Sequence, residues 1–238
     1  MTDHANHLGQ PIGPPVDDWT PRPRPDGRSL AGRFCRLERL DPARHGRALF
    51  DADRQDETGA SWTYLPYGPF ERWEDYADWL ARMAPQEDPF FYAILETASD
   101  APAGLASYLR IAPEAGSIEV GHIHYSPRLQ RTPAATEAMA LMMGHVFDDL
   151  GYRRYEWKCN ALNAASRRAA ERLGFTFEGV FRQAGVYKGR NRDTAWFSIL
   201  DHEWPAMKQA FSQWLAPENF DEAGRQRSPL GALTPPHS

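Results

Sequence analysis

The stretch from Ser126 to Gly151, SPRLQRTPAATEAMALMMGHVFDDLG, constrains the fold more than any other part of the chain. A short polar run opens abruptly into an apolar helix, predicted from about Pro133 to Leu150 and closed by Gly151. Thr132 is placed to cap a free amide, and Pro133 stands at the first helical position, where its missing N–H costs nothing. No bulky side chain follows before Glu137, so a partner can come close to the backbone of the first turn. The free amides there and the helix dipole together favour an anion. A capped helix that merely begins with alanines would explain the same residues.

The segments on either side read as a regular series. Gly32 to Leu40 alternates as a strand, Pro42 opens a helix to about Asp53, and Glu71 to Met83 places Trp73, Tyr76, Ala77 and Leu80 at helical spacing. Phe90 to Thr97, Gly104 to Ile111 and Ser117 to Tyr125 read as strands separated by Pro, Gly and Asp breaks. After the long helix come a strand at Arg153 to Cys159 and a short helix capped by Asn163, which Gly174 ends in the left-handed conformation. Phe175 to Tyr187 and Thr194 to Leu200 form a closing antiparallel pair, and a last helix runs from Pro205 to about Leu215. The predicted order, β-α-α-β-β-β-α-β-α-β-β-α, is an α/β (α+β) domain: a mixed sheet with helices on both faces. Residues 1–28 are expected to be a Pro-rich arm packed through Trp19, residues 29–216 the domain, and residues 217–238 an irregular tail.

Composition narrows the function classes. The net charge of −5 supplies no basic field for nucleic acid. YKGRNRD, at Tyr187 to Asp193, is short enough to be an exposed hairpin tip. Cys35 and Cys159 lie in unrelated segments, which argues for free thiols rather than a zinc site or a disulfide framework. No run approaches the roughly 18 apolar residues of a membrane span, and the N-terminus lacks the apolar core of a secretory signal. A cytoplasmic protein is expected.

From Glu119 to Phe175 the chain resembles the GNAT superfamily of acetyl-CoA-dependent N-acetyltransferases, and within it the branch of RimJ and RimL. The resemblance extends over about Gly32 to Leu215 and implies a mixed, mostly antiparallel central sheet. The family's pyrophosphate-binding segment, Q/R-x-x-G-x-G/A, falls on Gln130, Arg131, Thr132, Pro133, Ala134 and Ala135. Its first glycine is Pro133 here, which removes one donor and forbids positive φ. The seat is then expected from the amides of Arg131, Thr132, Ala134, Ala135 and Thr136, with charge from Arg131 and from Arg167 or Arg168. The resemblance also implies that the backbone near Ile123, His124 and Tyr125 polarises the thioester carbonyl. It implies that Asn163 holds the pantetheine arm and that Ser166 protonates the leaving thiolate; the later helix tyrosine of many members is replaced by Ala169 and Ala170.

Transfer to an amine also needs a proton acceptor. Glu119 is the first candidate base, because a carboxylate on a central strand is expensive to bury unless paired or used. His122 falls on the opposite strand face unless a bulge reverses the alternation. His122 and His124 have a spacing that a metal would like, but no third ligand is evident and no metal is expected. Trp62, Tyr64 and Tyr67 in SWTYLPYGPF are candidates to enclose the amine, with Asp53, Asp56 and Glu57 drawing positive charge. The expected partners are therefore acetyl-CoA and an amine, either a protein N-terminus or a small molecule, with a homodimer left open. The competing reading is a binding module on the same fold that holds an acyl-CoA without turnover.

Overall fold

The computed structural model describes residues 4–234. The element series follows the sequence: β1 (Leu30–Ala31), β2 (Cys35–Arg39), α1 (Pro42–Asp53), α2 (Trp73–Met83), β3 (Phe90–Glu96), β4 (Ala101–Ala112) and β5 (Ser117–Tyr125). It continues with α3 (Pro133–Gly144), β6 (Arg154–Asn160), α4 (Ala164–Arg172), β7 (Thr176–Tyr187), β8 (Arg190–Leu200) and α5 (Trp204–Leu215). Three details depart from the expectation. The two-residue β1 was too short to carry a pattern. The long helix relaxes into a π-helical turn over His145–Asp149 before Gly151. And β8 begins at Arg190, because Lys188 and Gly189 both take positive φ and close a two-residue hairpin loop.

Eight strands form one sheet in the order β1-β2-β3-β4-β5-β6-β8-β7. Every neighbouring pair is antiparallel except β5 and β6. Alternate residues of the sheet feed two separate cores. On one face, Leu37, Tyr92, Tyr108, Val120, Tyr155 and Trp157 pack against Met139, Met142 and Met143 of α3 and Phe211 and Trp214 of α5. On the other, Phe91, Ala93 and Leu105 pack under Leu49 and Phe50 of α1 and Tyr76, Trp79 and Leu80 of α2. Helices therefore cover both faces, as the segment order requires.

The termini are irregular in path but tied down. In the arm, Trp19 donates its indole N–H to the carbonyl of Glu114 over 2.8 Å, under the guanidinium of Arg22. In the tail, Leu230 is fully buried in the larger core, and Phe220 stands edge-on to Phe34 and Trp214. Residues 1–3 of the arm and 235–238 of the tail lie outside the described residues.

Candidate active site

The site opens where the one parallel pair stops pairing. β5 and β6 are in register only from Ser117 opposite Arg154 to Val120 opposite Trp157. Beyond Val120 the two strands part, and the backbone edge of Ile123, His124 and Tyr125 borders a cavity of about 900 Å³. The start of α3 forms its second wall, through Gln130, Arg131, Thr132, Pro133, Ala135 and Thr136. Trp157 on β6 and Asn163, Ser166, Ala169 and Arg172 around α4 form the third. Trp214, Phe220, Arg225 and Gln226 close the outer end.

At the helix start, Thr132 is extended (φ −100°, ψ 162°) and its hydroxyl accepts from the Ala135 amide over 3.2 Å, the cap predicted for it. Left-handed backbone falls at Arg131 (φ 62°), two residues before Pro133. Pro133 itself begins the helix and needs no positive φ, so its substitution for a family glycine introduces no strain. The seat is smaller than expected. The Ala135 amide serves Thr132, and the Thr132 amide donates to the Leu129 carbonyl over 3.3 Å, so two of the five expected amides, those of Thr132 and Ala135, are engaged within the chain. The Ala134 side chain points into the core, so its share in the seat is backbone alone. Arg168 is exposed and off the wall. Arg172, one turn further along α4, lines the cavity and donates to Thr136 Oγ1 over 3.1 Å.

A second cavity of about 140 Å³ adjoins the first, and the two share Ser61, Tyr64, Ile123, Trp157, Asn163 and Ser166. Glu119, His122, Lys158, Tyr187 and Arg192 line it. A bulge in β5 creates the His122 wall. Leu105 pairs with His124 but Ser107 with Gly121, so one extra residue is accommodated, and His122 takes φ 49°. Glu119, His122 and His124 thereby all face the α1–α2 side. The Tyr67 hydroxyl is hydrogen-bonded to His122 Nδ1 over 2.7 Å, and burial pushes the imidazole down to about pKa 4, which favours its neutral form.

Glu119 is buried between two cations. Arg110 Nε lies 2.9 Å and Lys158 Nζ 3.0 Å from its Oε2, while burial pushes the carboxyl above its ordinary range. Trp62 and Tyr67 do not line either cavity. They pack in the smaller core, where Trp62 is edge-on to Phe70 and Trp79 and stacks on the His124 ring at 3.7 Å. Of the three aromatic candidates only Tyr64 borders the site, because the smaller core needs the other two as filling. Asn163 caps α4 through its Oδ1, which accepts from the Ser166 amide over 3.0 Å. Among the described residues no group of three metal-ligating side chains is gathered, and no helix is long and apolar enough to cross a membrane.

Three contributors escaped the sequence reading. Ser61 sits at the junction of the cavities, held by Asp56, whose Oδ2 accepts from the Ser61 amide over 2.9 Å. That bond holds the Asp56 carboxyl far below its usual range. The hairpin tip read as merely exposed reaches back, with Lys188 Nζ donating to the Trp62 carbonyl over 2.9 Å, and brings Tyr187 and Arg192 to the small cavity. Arg225, in the tail read as irregular, adds charge at the mouth of the large one.

Residues 36–176 match the family model of the GNAT acetyltransferase domain. The chain is similar to a GCN5-related N-acetyltransferase from Brucella melitensis, with 50% identity over 92% of this chain and 99% of that one, and a TM-score of 0.91. It is also similar to a probable GNAT-family acetyltransferase from Chromobacterium violaceum, with 43% identity over 82% and 98% of the two chains and a TM-score of 0.77. A microcin C7 self-immunity acetyltransferase solved with acetyl-CoA and AMP shares the fold at 19% identity, over 71% and 93% of the chains, with a TM-score of 0.62. No curated protein matches the chain.

Proposed function

The chain belongs to the GNAT acetyltransferase family, and on that premise we propose that it transfers the acetyl group of acetyl-CoA directly to a primary amine in a ternary complex. The observation that carries this reading is the cleft between the parted ends of β5 and β6, which runs from the α3 start to a smaller second chamber. The pyrophosphate of the cofactor would lie at the amides of Arg131 and Ala134, with Arg131, Arg172 and Arg225 supplying positive charge. A dipole and free amides at a helix start suit that group. The arm would then follow the open edge of β5 past Asn163, placing the thioester at the junction where Ile123, Trp157 and Ser166 meet. Backbone amides of Ile123 to Tyr125 would polarise the carbonyl there.

The acceptor enters through the small chamber, beside Tyr64 and His122. Glu119 is the carboxylate of that wall, among Arg110, Lys158 and Arg192. With Arg110 and Lys158 both on one of its oxygens, it serves to hold those side chains in the wall more readily than to take the proton of an ammonium. The RimJ and RimL resemblance makes a protein N-terminal α-amine the first acceptor to try, and a small-molecule amine the second.

Calorimetry with acetyl-CoA, followed by thiol release over peptides with free α-amines and over alkylamines, tests the proposal. Saturable binding and amine-dependent release are expected. Binding without release from any amine would leave an acyl-CoA-binding module, and no binding would remove the cofactor from this cleft.

A further inference from the structure

Beneath the junction lies a set of side chains that cofactor binding does not use. Ser61 Oγ is 2.9 Å from His124 Nε2, and His124 Nδ1 is 3.3 Å from Asp53 Oδ1. Asp53, the last residue of α1, is 8% exposed and His124 is 3% exposed. Neither Asp53 oxygen, nor His124 Nδ1, has a well-directed hydrogen bond, although all three are buried. A carboxylate buried with only the Tyr76 hydroxyl and the His124 ring beside it is costly and calls for a reason. A cation formed beside it at one moment of a reaction is such a reason. The imidazole is the group placed to become that cation, and stacking on Trp62 fixes its plane.

The carboxylate selects the tautomer. Asp53 favours the proton on Nδ1, so Nε2 presents its lone pair and Ser61 donates to it. The Ser61 oxygen keeps its own lone pairs for the cavities, both of which it lines. We propose that Ser61, His124 and Asp53 form the proton relay that deprotonates the acceptor ammonium. Ser61 is the catalytic residue of the set, and His124 and Asp53 position and charge-balance it.

The steps balance. The ammonium gives one proton to Ser61 Oγ as the Ser61 proton passes to His124 Nε2, and the imidazolium is paired with Asp53. The amine lone pair then forms the N–C bond to the thioester carbonyl carbon, and the C–S bond breaks. The thiolate takes the second nitrogen-bound proton by way of Ser166. His124 returns its proton through Ser61 to solvent as the product leaves, so that ammonium and acetyl-CoA yield amide, free thiol and one proton.

The inference rests on the acetyl-transfer reading, and its test separates the two. Wild type, Ser61→Ala and Asp53→Asn are assayed with acetyl-CoA and two acceptors, benzylamine, which arrives protonated at neutral pH, and aniline, which arrives neutral. Ser61→Ala is expected to lower kcat for benzylamine by about 10²-fold, the lower end for a lost proton-transfer group. The aniline rate should fall at least about tenfold less than the benzylamine rate. In parallel, ¹⁵N spectra of the histidine rings are expected to show His124 as the Nδ1–H tautomer in wild type and as Nε2–H in Asp53→Asn, a switch that a packing role would not produce. Equal losses on both amines, or an Nε2–H tautomer in wild type, would overturn the relay while leaving the transferase standing. A wild type that binds acetyl-CoA but releases no thiol with any amine would overturn the transferase, and the relay with it.

Discussion

The indole N–H of Trp157 donates to the hydroxyl oxygen of Ser166 over 3.0 Å. An indole nitrogen only donates, so Ser166 is the acceptor in this pair, and its own proton is directed elsewhere, with the Cys159 sulfur also in reach. Both residues line both cavities, at the place where a departing thiolate would form. Ser166→Ala is therefore expected to lower kcat for thiol release by about 10²-fold while the acetyl-CoA affinity stays within about twofold. Trp157→Phe keeps the edge-on packing with Phe175 but removes the donor, and it should give a smaller loss in the same direction. Equal kcat in wild type and Ser166→Ala, from steady-state thiol release, would remove the serine from proton delivery.

Ala135 carries a sharper test of the cofactor seat. Its side chain faces the large cavity while its amide is held by the Thr132 cap. Ala135→Glu puts bulk and negative charge where the pyrophosphate is proposed to lie, yet leaves the cap intact. Affinity for acetyl-CoA is expected to fall by at least about 100-fold, or about 2.7 kcal/mol, with the melting temperature little changed. Calorimetry checks it, and unchanged affinity would place the cofactor elsewhere.

The sequence carries the fold further than it carries the site, for a physical reason. Period-two alternation and the Thr132–Pro133 and Asn163 caps are local signals, and they fix the elements and the helix start at which the pyrophosphate is proposed to lie. The walls of the small chamber are assembled by contacts distant in sequence. Ser61 meets His124 across 63 positions, and Lys188 meets Trp62 across 126. The bulge at His122 depends on the pairing of β5 with Leu105 and Ser107, which no pattern within β5 reveals. In the aromatic loop, large side chains drew attention as an amine cage. Trp62 and Tyr67 went instead to the smaller core, and the small residue beside them, Ser61, reached the cavities.

Gly32 and Glu137 tie α3 to the first strands. The Glu137 carboxylate accepts the backbone amides of Arg33 (2.8 Å), Phe34 (2.6 Å) and Cys35 (2.8 Å). A Cβ on Gly32 would lie 2.5 Å from Glu137 Oε2 and 2.7 Å from Oε1. Gly32→Ala should thus push the carboxylate off three donors at once. A destabilisation of about 2–4 kcal/mol is expected in urea unfolding, comparable to breaking a buried charged network. Glu137→Gln keeps the shape with weaker acceptance and should cost about half as much. Since Glu137 sits in the second turn of α3, Gly32→Ala should also weaken acetyl-CoA binding, whereas a surface change such as Arg168→Ala should not.

His122 gives the fold an acid-sensitive element. Burial, with Arg110 and Arg192 adding to it, holds the folded-state imidazole near pKa 4, against about 6.5 when unfolded. Between those values the unfolded chain binds a proton that the folded chain refuses, so stability rises with pH across that window. On acidification the loss should begin near pH 6.5 and level off near pH 4, amounting to about 2 kcal/mol from this group once the partial exposure of the ring is allowed for. His122→Asn tests it, because asparagine tolerates the left-handed backbone at this position (φ 49°) and does not titrate. Urea midpoints measured from pH 7 to pH 4 should fall less steeply in His122→Asn than in wild type. Parallel curves would show that the acid sensitivity belongs to other groups, and that His122 titrates alike in the folded and unfolded chains.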